Sequence, residues 1–157
     1  MQDTYTLQPA MLRDAPAIAG LSATHIEYGL RHSWTAQRVA AHIRHRECVV
    51  LTAKSGTELA GFAVMQFADT AAHLNLLAVV PHARRRGLAA RLLTWLHETA
   101  LTAGTFTVSL ELRSANQGAR RFYEALGYRQ TGTIRGYYDG VEDAVRMRRD
   151  LAVCNGD

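Results

Sequence analysis

The chain has 157 residues, 48% apolar and 20% charged, with a formal net charge of +4, proportions that fit one globular domain able to bury a core. No apolar run approaches the roughly 20 residues needed to cross a bilayer, and Met1-Gln2-Asp3-Thr4 lacks the basic and apolar regions of a secretory leader. Cys48 and Cys154 stand far apart and make no metal-type pair, so a cytoplasmic protein with free thiols is expected.

In chain order, Thr4 to Gln8 reads as a short strand. Asp14 is the expected N-cap of a first helix, with Ala15-Pro16 in its first turn and Ile18 and Leu21 on its apolar stripe. His25 to His32 reads as a loop or helix junction. A second helix starts near Ser33 to Thr35 and uses Val39 and Ile43. His42 and His45 lack a third ligand at metal spacing and are expected as exposed helix residues, so no metal is expected. Cys48 to Ala53 and Leu59 to Phe67 are strands joined by the loop Lys54 to Glu58. His73 to Val80 is the next strand, expected antiparallel to its predecessor.

A helix carrying Leu92, Leu93, Leu96 and Ala100 follows, stopped at Gly104. Thr105 to Leu112 is again a strand, and strand–helix–strand implies a parallel crossover. Ser114-Ala115-Asn116-Gln117 has the form of a capping box, and Ala115, Ala119, Phe122 and Leu126 are the expected buried face of its helix. Gly127 ends that helix. Tyr128 to Ile134 and Ala144 to Met147 form a final strand pair, turned at Asp139-Gly140. One domain over 1–151 and a disordered tail over 152–157 are expected. No repeat, linker or low-complexity segment interrupts it.

The stretch from His73 to Arg91 concentrates the chemistry. A strand stopped by Pro81 feeds a loop, Arg84-Arg85-Arg86-Gly87, and then a helix start. The first N–H groups of a helix have no intrahelical partner, and the dipole places partial positive charge there. With nearby arginines and small residues at 87, 89 and 90, the loop suits a pyrophosphate. Neither the P-loop nor the dinucleotide glycine pattern is present. The basic balance alone could point to nucleic acid. However, the arginines are dispersed apart from Arg84–Arg86 and the group Arg146, Arg148 and Arg149, and no aromatics alternate with them. Nucleic-acid binding is disfavoured and stands as the alternative outside enzymes.

Arg84-x-x-Gly87-x-Ala89 after a strand resembles the Gln/Arg-x-x-Gly-x-Gly/Ala signature of the GCN5-related N-acetyltransferases. Ser109-Leu-Glu-Leu-Arg-Ser-Ala-Asn-Gln-Gly-Ala-Arg-Arg-Phe-Tyr-Glu-Ala-Leu-Gly-Tyr128 resembles the second half of the same family. Arg135-Gly-Tyr-Tyr-Asp-Gly-Val-Glu-Asp-Ala-Val-Arg-Met147 resembles its ribosomal-protein-alanine (RimI-type) branch, whose members acetylate protein N-termini. These motifs lie in order over residues 73–148. The first 70 residues match loosely: Ser33-Trp34-Thr35 resembles a Pro-Trp-Ser element of the branch, without its proline.

The resemblance implies an α/β (α+β) fold. Its mixed, mostly antiparallel sheet is splayed between strands 73–80 and 105–112, with four main helices and acetyl-CoA in the splay. It implies that the main chain of Leu77, Ala78 and Val79 pairs with the pantetheine arm. Arg84, Arg85, Arg86, Gly87, Leu88, Ala89 and Ala90 would line the pyrophosphate, and Asn116 would bond the cofactor near its reactive end. Glu111 would be the general base, Tyr123 the general acid on the departing thiolate, and Tyr137 and Tyr138 would wall the acceptor groove.

The chemistry agrees with those roles. An ammonium cannot attack a thioester until a proton leaves. An α-amine of pKa about 7.7–8 is already on the order of 10% neutral at pH 7, so one carboxylate suffices. The thiolate has a pKa of roughly 8.5, within reach of a tyrosine proton donor. Asn116 and Tyr123 lie about two helical turns apart and can face one cleft. Taken alone, the residues also admit plainer readings: Glu111 paired with Arg113, Tyr123 a half-buried aromatic, Asn116 a first-turn residue, and Tyr137 and Tyr138 ordinary hairpin residues. The expected activity is direct acetyl transfer to the N-terminal α-amine of a protein, such as a ribosomal protein. The alternatives are a small-molecule amine acetyltransferase of the same fold and a non-catalytic CoA- or nucleic-acid-binding domain. Whether the protein is a monomer or a dimer is open.

Overall fold

A computed structural model describes residues 4–151. The expected disordered tail at 152–157, with Cys154, lies outside the described residues. The chain divides into two compact units. One gathers the chain up to Gln66 with Asn75–Leu96, and the other gathers Phe67–Leu74 with the chain from His97 onward.

In the first unit, β1 (Thr6–Pro9), β2 (Cys48–Ser55) and β3 (Glu58–Phe67) pair antiparallel. The β2–β3 connection is tighter than the expected five-residue loop. Ser55 pairs with Glu58, and Gly56 (φ 63°) takes the left-handed conformation that such a turn requires. Helices α1 (Ala15–His25) and α2 (Ala36–Arg44) contribute Ala15, Ile18, Trp34 (just before α2) and Val39 to a core with Val50, Phe62, Val64 and Leu76. Thr35 caps α2 through Arg38 N–H.

Asp14 occupies the N-cap position of α1 but makes no cap bond. Its carboxylate instead accepts from Met11 N–H at 2.8 Å and from Lys54 Nζ at 2.7 Å. Burial disfavours its charge, but the bonds from Lys54 and Met11 and the charges of Lys54 and Arg13 outweigh burial and lower its pKa. The expected cap thus ties the start of α1 to β2. His42 is half-buried against the Trp34 ring at 4.7 Å rather than exposed, because Trp34 precedes α2 on the same side; His45 is exposed as expected.

Strand β4 (Ala71–Val79) contributes to both units. At its far end Gly61 permits a close approach, since a Cβ there would stand 3.0 Å from the Ala78 carbonyl oxygen. Helix α3 (Leu88–Thr102) follows, burying Leu92, Leu93, Leu96 and Ala100 as its spacing predicts.

In the second unit, β4 pairs in parallel with β5 (Thr107–Arg113) from Ala71–Thr107 to His73–Ser109. This is the expected crossover around α3. Helix α4 (Gln117–Ala125) leads into β6 (Arg129–Tyr138) and β7 (Glu142–Asp150), which turn at Asp139 (φ 54°) and Gly140 (φ 70°). Strand β7 inserts beside β5, giving the order β1-β2-β3-β4-β5-β7-β6 among the described residues. The mixed sheet and four α-helices are those the resemblance implies.

Candidate active site

The anion loop builds from its two buried ends. Ala83 and Leu88 are buried, while Arg84, Arg85, Arg86 and Gly87 between them are exposed. Arg91 N–H makes the first bond into the helix, to Gly87 C=O at 3.0 Å, so the amides of Leu88, Ala89 and Ala90 have no intrahelical partner. Arg85 (φ 63°) and Gly87 (φ 72°) both adopt left-handed backbone. For a non-glycine residue that conformation costs free energy and is held only where the surroundings impose it. A Cβ on Gly87 would meet nothing within 4 Å, which leaves the space an approaching phosphate oxygen needs. The loop therefore fits a pyrophosphate. Within it, Arg84 is engaged structurally: its Nε donates to Val79 C=O at 2.9 Å.

In the second unit, β5 alternates, burying Val108, Leu110 and Leu112 on one face and sending Ser109 and Glu111 to the other. Glu111 pairs in register with Arg146 of β7, whose Nε donates to Oε1 at 3.1 Å. Its Oε2 is bonded by Nε2 of His73, which stands opposite Ser109 on β4. The hydrogen bond from His73 and the Arg146 guanidinium hold the Glu111 pKa below the usual range, although burial pulls the other way. Glu111 is thus an ionised carboxylate with both oxygens engaged. Arg113 Nη1 lies 3.4 Å from Glu142 Oε1.

Helix α4 corrects two expectations. Its N-cap is Asn116, not Ser114: Asn116 Oδ1 accepts from Ala119 N–H at 3.0 Å, so the four-residue box is not used. The buried residue of its face is Tyr123, while Ala119, Phe122 and Leu126 are half-buried and Ala115 is exposed. The later start moves Ala115 off the helix and turns Tyr123 inward. Asn116 keeps its amide nitrogen, with two donors, for another partner. The Tyr123 ring meets Phe122 and Tyr128 edge-on, with centroids 5.1 and 5.5 Å away. Burial, with a smaller contribution from Tyr138, raises the pKa of its hydroxyl, which stays protonated at neutral pH.

On the closing hairpin Tyr137 is exposed and Tyr138 is half-buried, the two rings meeting edge-on at 4.9 Å. The Arg113 guanidinium lies 5.9 Å from the centre of the Tyr138 ring. The adjacent acids do not pair with the arginines of β7. Glu142 pairs with Arg113 of β5, and Asp143 accepts from Gly136 N–H at 2.8 Å. Burial and Glu47 raise the pKa of the half-buried Cys48 thiol, which is therefore no activated nucleophile.

The matching of these features to one family decides the identity. Residues 13–128 match the model of the acetyltransferase (GNAT) family. The chain belongs to that family. Among curated GNAT relatives it is 39% identical over 98 residues to the ribosomal protein bS18-alanine N-acetyltransferase of Salmonella typhimurium, covering 60% of this chain and 66% of the relative. It is 41% identical over 81 residues to N-alpha-acetyltransferase 20 of Dictyostelium discoideum, covering 50% and 46%. The chain thus spans about half to two thirds of the length of these two relatives. The crystal structure of the ribosomal-protein-S18-alanine N-acetyltransferase from Escherichia coli superposes with a TM-score of 0.83 at 26% identity, covering 98% of both chains. These likenesses support the RimI-type branch. The structure of yncA from Salmonella typhimurium, described as an acetyltransferase with its cofactor acetyl-CoA, shares the fold, with a TM-score of 0.79 at 18% identity over 97% of this chain and 96% of that one.

Two residues of the site escaped the sequence reading, His73 and Arg146. Each is unremarkable alone and gains meaning only from register, which places them on either side of Glu111. The usable signal is alternation: Ser109 and Glu111 share one face of β5, so the strands beside it must answer that face.

Proposed function

We propose that this protein is an acetyl-CoA-dependent N-acetyltransferase whose acceptor is the N-terminal α-amine of a protein, working in the cytoplasm with 1–151 as one catalytic domain. The observation that carries the reading is the ionised Glu111 set beside an aromatic hairpin: its charge is among the causes, after burial and Tyr137, that raise the Tyr138 pKa. Family membership and the N-terminal acetyltransferases among its relatives support it. No helix among the described residues is long and apolar enough to cross a membrane.

Acetyl-CoA supplies the acetyl group as a thioester. The main chain of Leu77–Val79 orients its pantetheine arm, Arg84 to Ala90 hold its pyrophosphate, and the Asn116 amide nitrogen bonds near its reactive end. Glu111 provides the negative charge that draws a proton from the acceptor ammonium, and the protonated Tyr123 hydroxyl gives one to the leaving sulfur. Tyr137 and Tyr138 flank the first residues of an extended peptide, their hydroxyls bonding its carbonyls. Transfer is direct, and Cys48, the cysteine among the described residues, is not an activated thiol.

An acceptor screen tests this. Peptides with a free N-terminus should release CoA thiol and gain an acetyl group on the α-amine by mass spectrometry. Peptides blocked at the N-terminus but carrying a free lysine, and spermine, should react poorly. Equal rates on blocked peptides or spermine overturn the acceptor assignment. Replacing Tyr137 and Tyr138 together with alanine should weaken peptide use and leave CoA affinity nearly unchanged.

A further inference from the structure

The geometry around Glu111 separates the carboxylate from the place where an amine must lose its proton. The Glu111 side chain is 8% exposed and accepts on both oxygens, from His73 and from Arg146. The His73 side chain, by contrast, is 36% exposed. With each oxygen already turned to a partner and the side chain only 8% exposed, the Glu111 carboxylate offers an incoming N–H less open approach than the imidazole beside it. The imidazole at its outer end has one nitrogen committed to Glu111 and the other, Nδ1, directed to no described partner.

Resting on the acetyltransferase reading above, we propose that His73 is the catalytic base, taking the acceptor's proton on Nδ1, and that Glu111 is a positioning residue acting through it. In the neutral ring the bond from His73 Nε2 to Oε2 selects the tautomer: Nε2 carries the proton, and Nδ1 has the lone pair. Arg146 holds the second oxygen and so the orientation of the carboxylate. Around the pair stand Arg146 and Arg148 of β7, in register with Glu111 and Ser109, and Tyr138 of β6; Arg148 is itself paired with Asp150.

The step balances. The ammonium gives one proton to Nδ1, forming an imidazolium neutralised by Glu111. The amine lone pair then forms the C–N bond as the C–S bond breaks. The sulfur takes the Tyr123 hydroxyl proton, the second proton leaving nitrogen restores that hydroxyl, and the His73 proton passes to solvent. One proton is released per acetyl group transferred.

The test compares His73→Gln and Glu111→Gln with the parent, using a free-N-terminus peptide and acetyl-CoA. Glutamine can still donate to Glu111 but cannot accept a proton. His73→Gln should lower kcat by about 10²–10⁴-fold, leave KM for acetyl-CoA within about twofold, and abolish the acidic limb of the kcat–pH profile. Glu111→Gln should lower kcat less and leave KM for acetyl-CoA within about twofold, because the His73 ring remains and loses only the carboxylate that orients it. A His73→Gln variant with kcat within about threefold of an active parent, its limb intact, overturns the assignment alone. A parent that acetylates no amine overturns this assignment and the acetyltransferase reading together. Nitrogen-15 spectra of the His73 ring near neutral pH read the geometry without turnover: the Nε2-protonated tautomer is expected, and the Nδ1-protonated one overturns the inference.

Discussion

Arg149 donates from Nη1 to Nδ1 of His97 at 3.2 Å, so the buried ring can carry its proton only on Nε2, where it bonds the Tyr128 hydroxyl at 2.7 Å. A guanidinium has no acceptor, and protonating Nδ1 would turn this contact into two facing donors. Burial and the Arg149 charge push the His97 pKa from 6.5 down to about 4. Between those values the unfolded chain binds the extra proton. The stabilisation is therefore complete above the unfolded pKa and is lost as pH falls toward the folded one, on the order of 3 kcal/mol in all. The melting temperature should drop by several degrees between about pH 7.5 and pH 5. His97→Gln should flatten that dependence; an equal drop in the variant would remove His97 as its source.

Gly87→Glu should abolish CoA binding while the protein stays folded. The space around Gly87 is open, so the side chain fits, but it places negative charge where a pyrophosphate belongs and sits on a left-handed backbone. Gly87→Ala carries the backbone penalty without the charge, roughly 1 kcal/mol of stability. Calorimetric titration with CoA distinguishes them: the alanine variant should bind, and undiminished binding by the glutamate variant would displace the cofactor from this loop.

Tyr123→Phe should lower kcat far more than it changes KM for acetyl-CoA. The ring is held edge-on by Phe122 and Tyr128, so phenylalanine preserves the packing and removes only the protonated hydroxyl. That group acts as charge develops on sulfur, and general-acid contributions run to about 10²–10⁴-fold. Steady-state kinetics decide it: a kcat within about twofold of the parent would make Tyr123 a packing residue.

Glu27→Gln should destabilise the first unit. The Glu27 carboxyl is buried and accepts from Ser33 N–H and Oγ at 2.8 Å each, from Ser22 Oγ at 3.3 Å and from Trp34 N–H. An amide nitrogen in place of one oxygen faces donors with a donor, a loss of roughly 1–3 kcal/mol. Urea unfolding reads it directly, and a midpoint equal to the parent's would show that water replaces these bonds without cost.

The elements and the parallel crossover were legible because they rest on local pattern. Leu92, Leu93, Leu96 and Ala100 announce α3 by spacing alone, and Pro81 and Gly104 mark its flanks. What failed was local chemistry with two solutions. Asp14 can cap a helix or meet Lys54, and only the β1–β2 pairing brings Lys54 within reach. Ser114 and Asn116 are both good caps, and the bond to Ala119 selects the second. Likewise, His73 and Arg146 acquire their partner through strand register, a long-range property that spacing within one segment does not carry.

The acids beside the closing turn are already engaged: Glu142 faces Arg113, and Asp143 accepts from the Gly136 amide. Arg113 offsets the Glu142 charge and Asp143 alone keeps its own, so attraction of an acceptor toward the hairpin rests more on contact than on a long-range field. Fields of that kind fade over about 10 Å at 0.1 M salt. An acceptor held by rings and carbonyl bonds should accordingly be captured about as well in strong salt as in weak, whereas a polycation steered by charge would lose its hold.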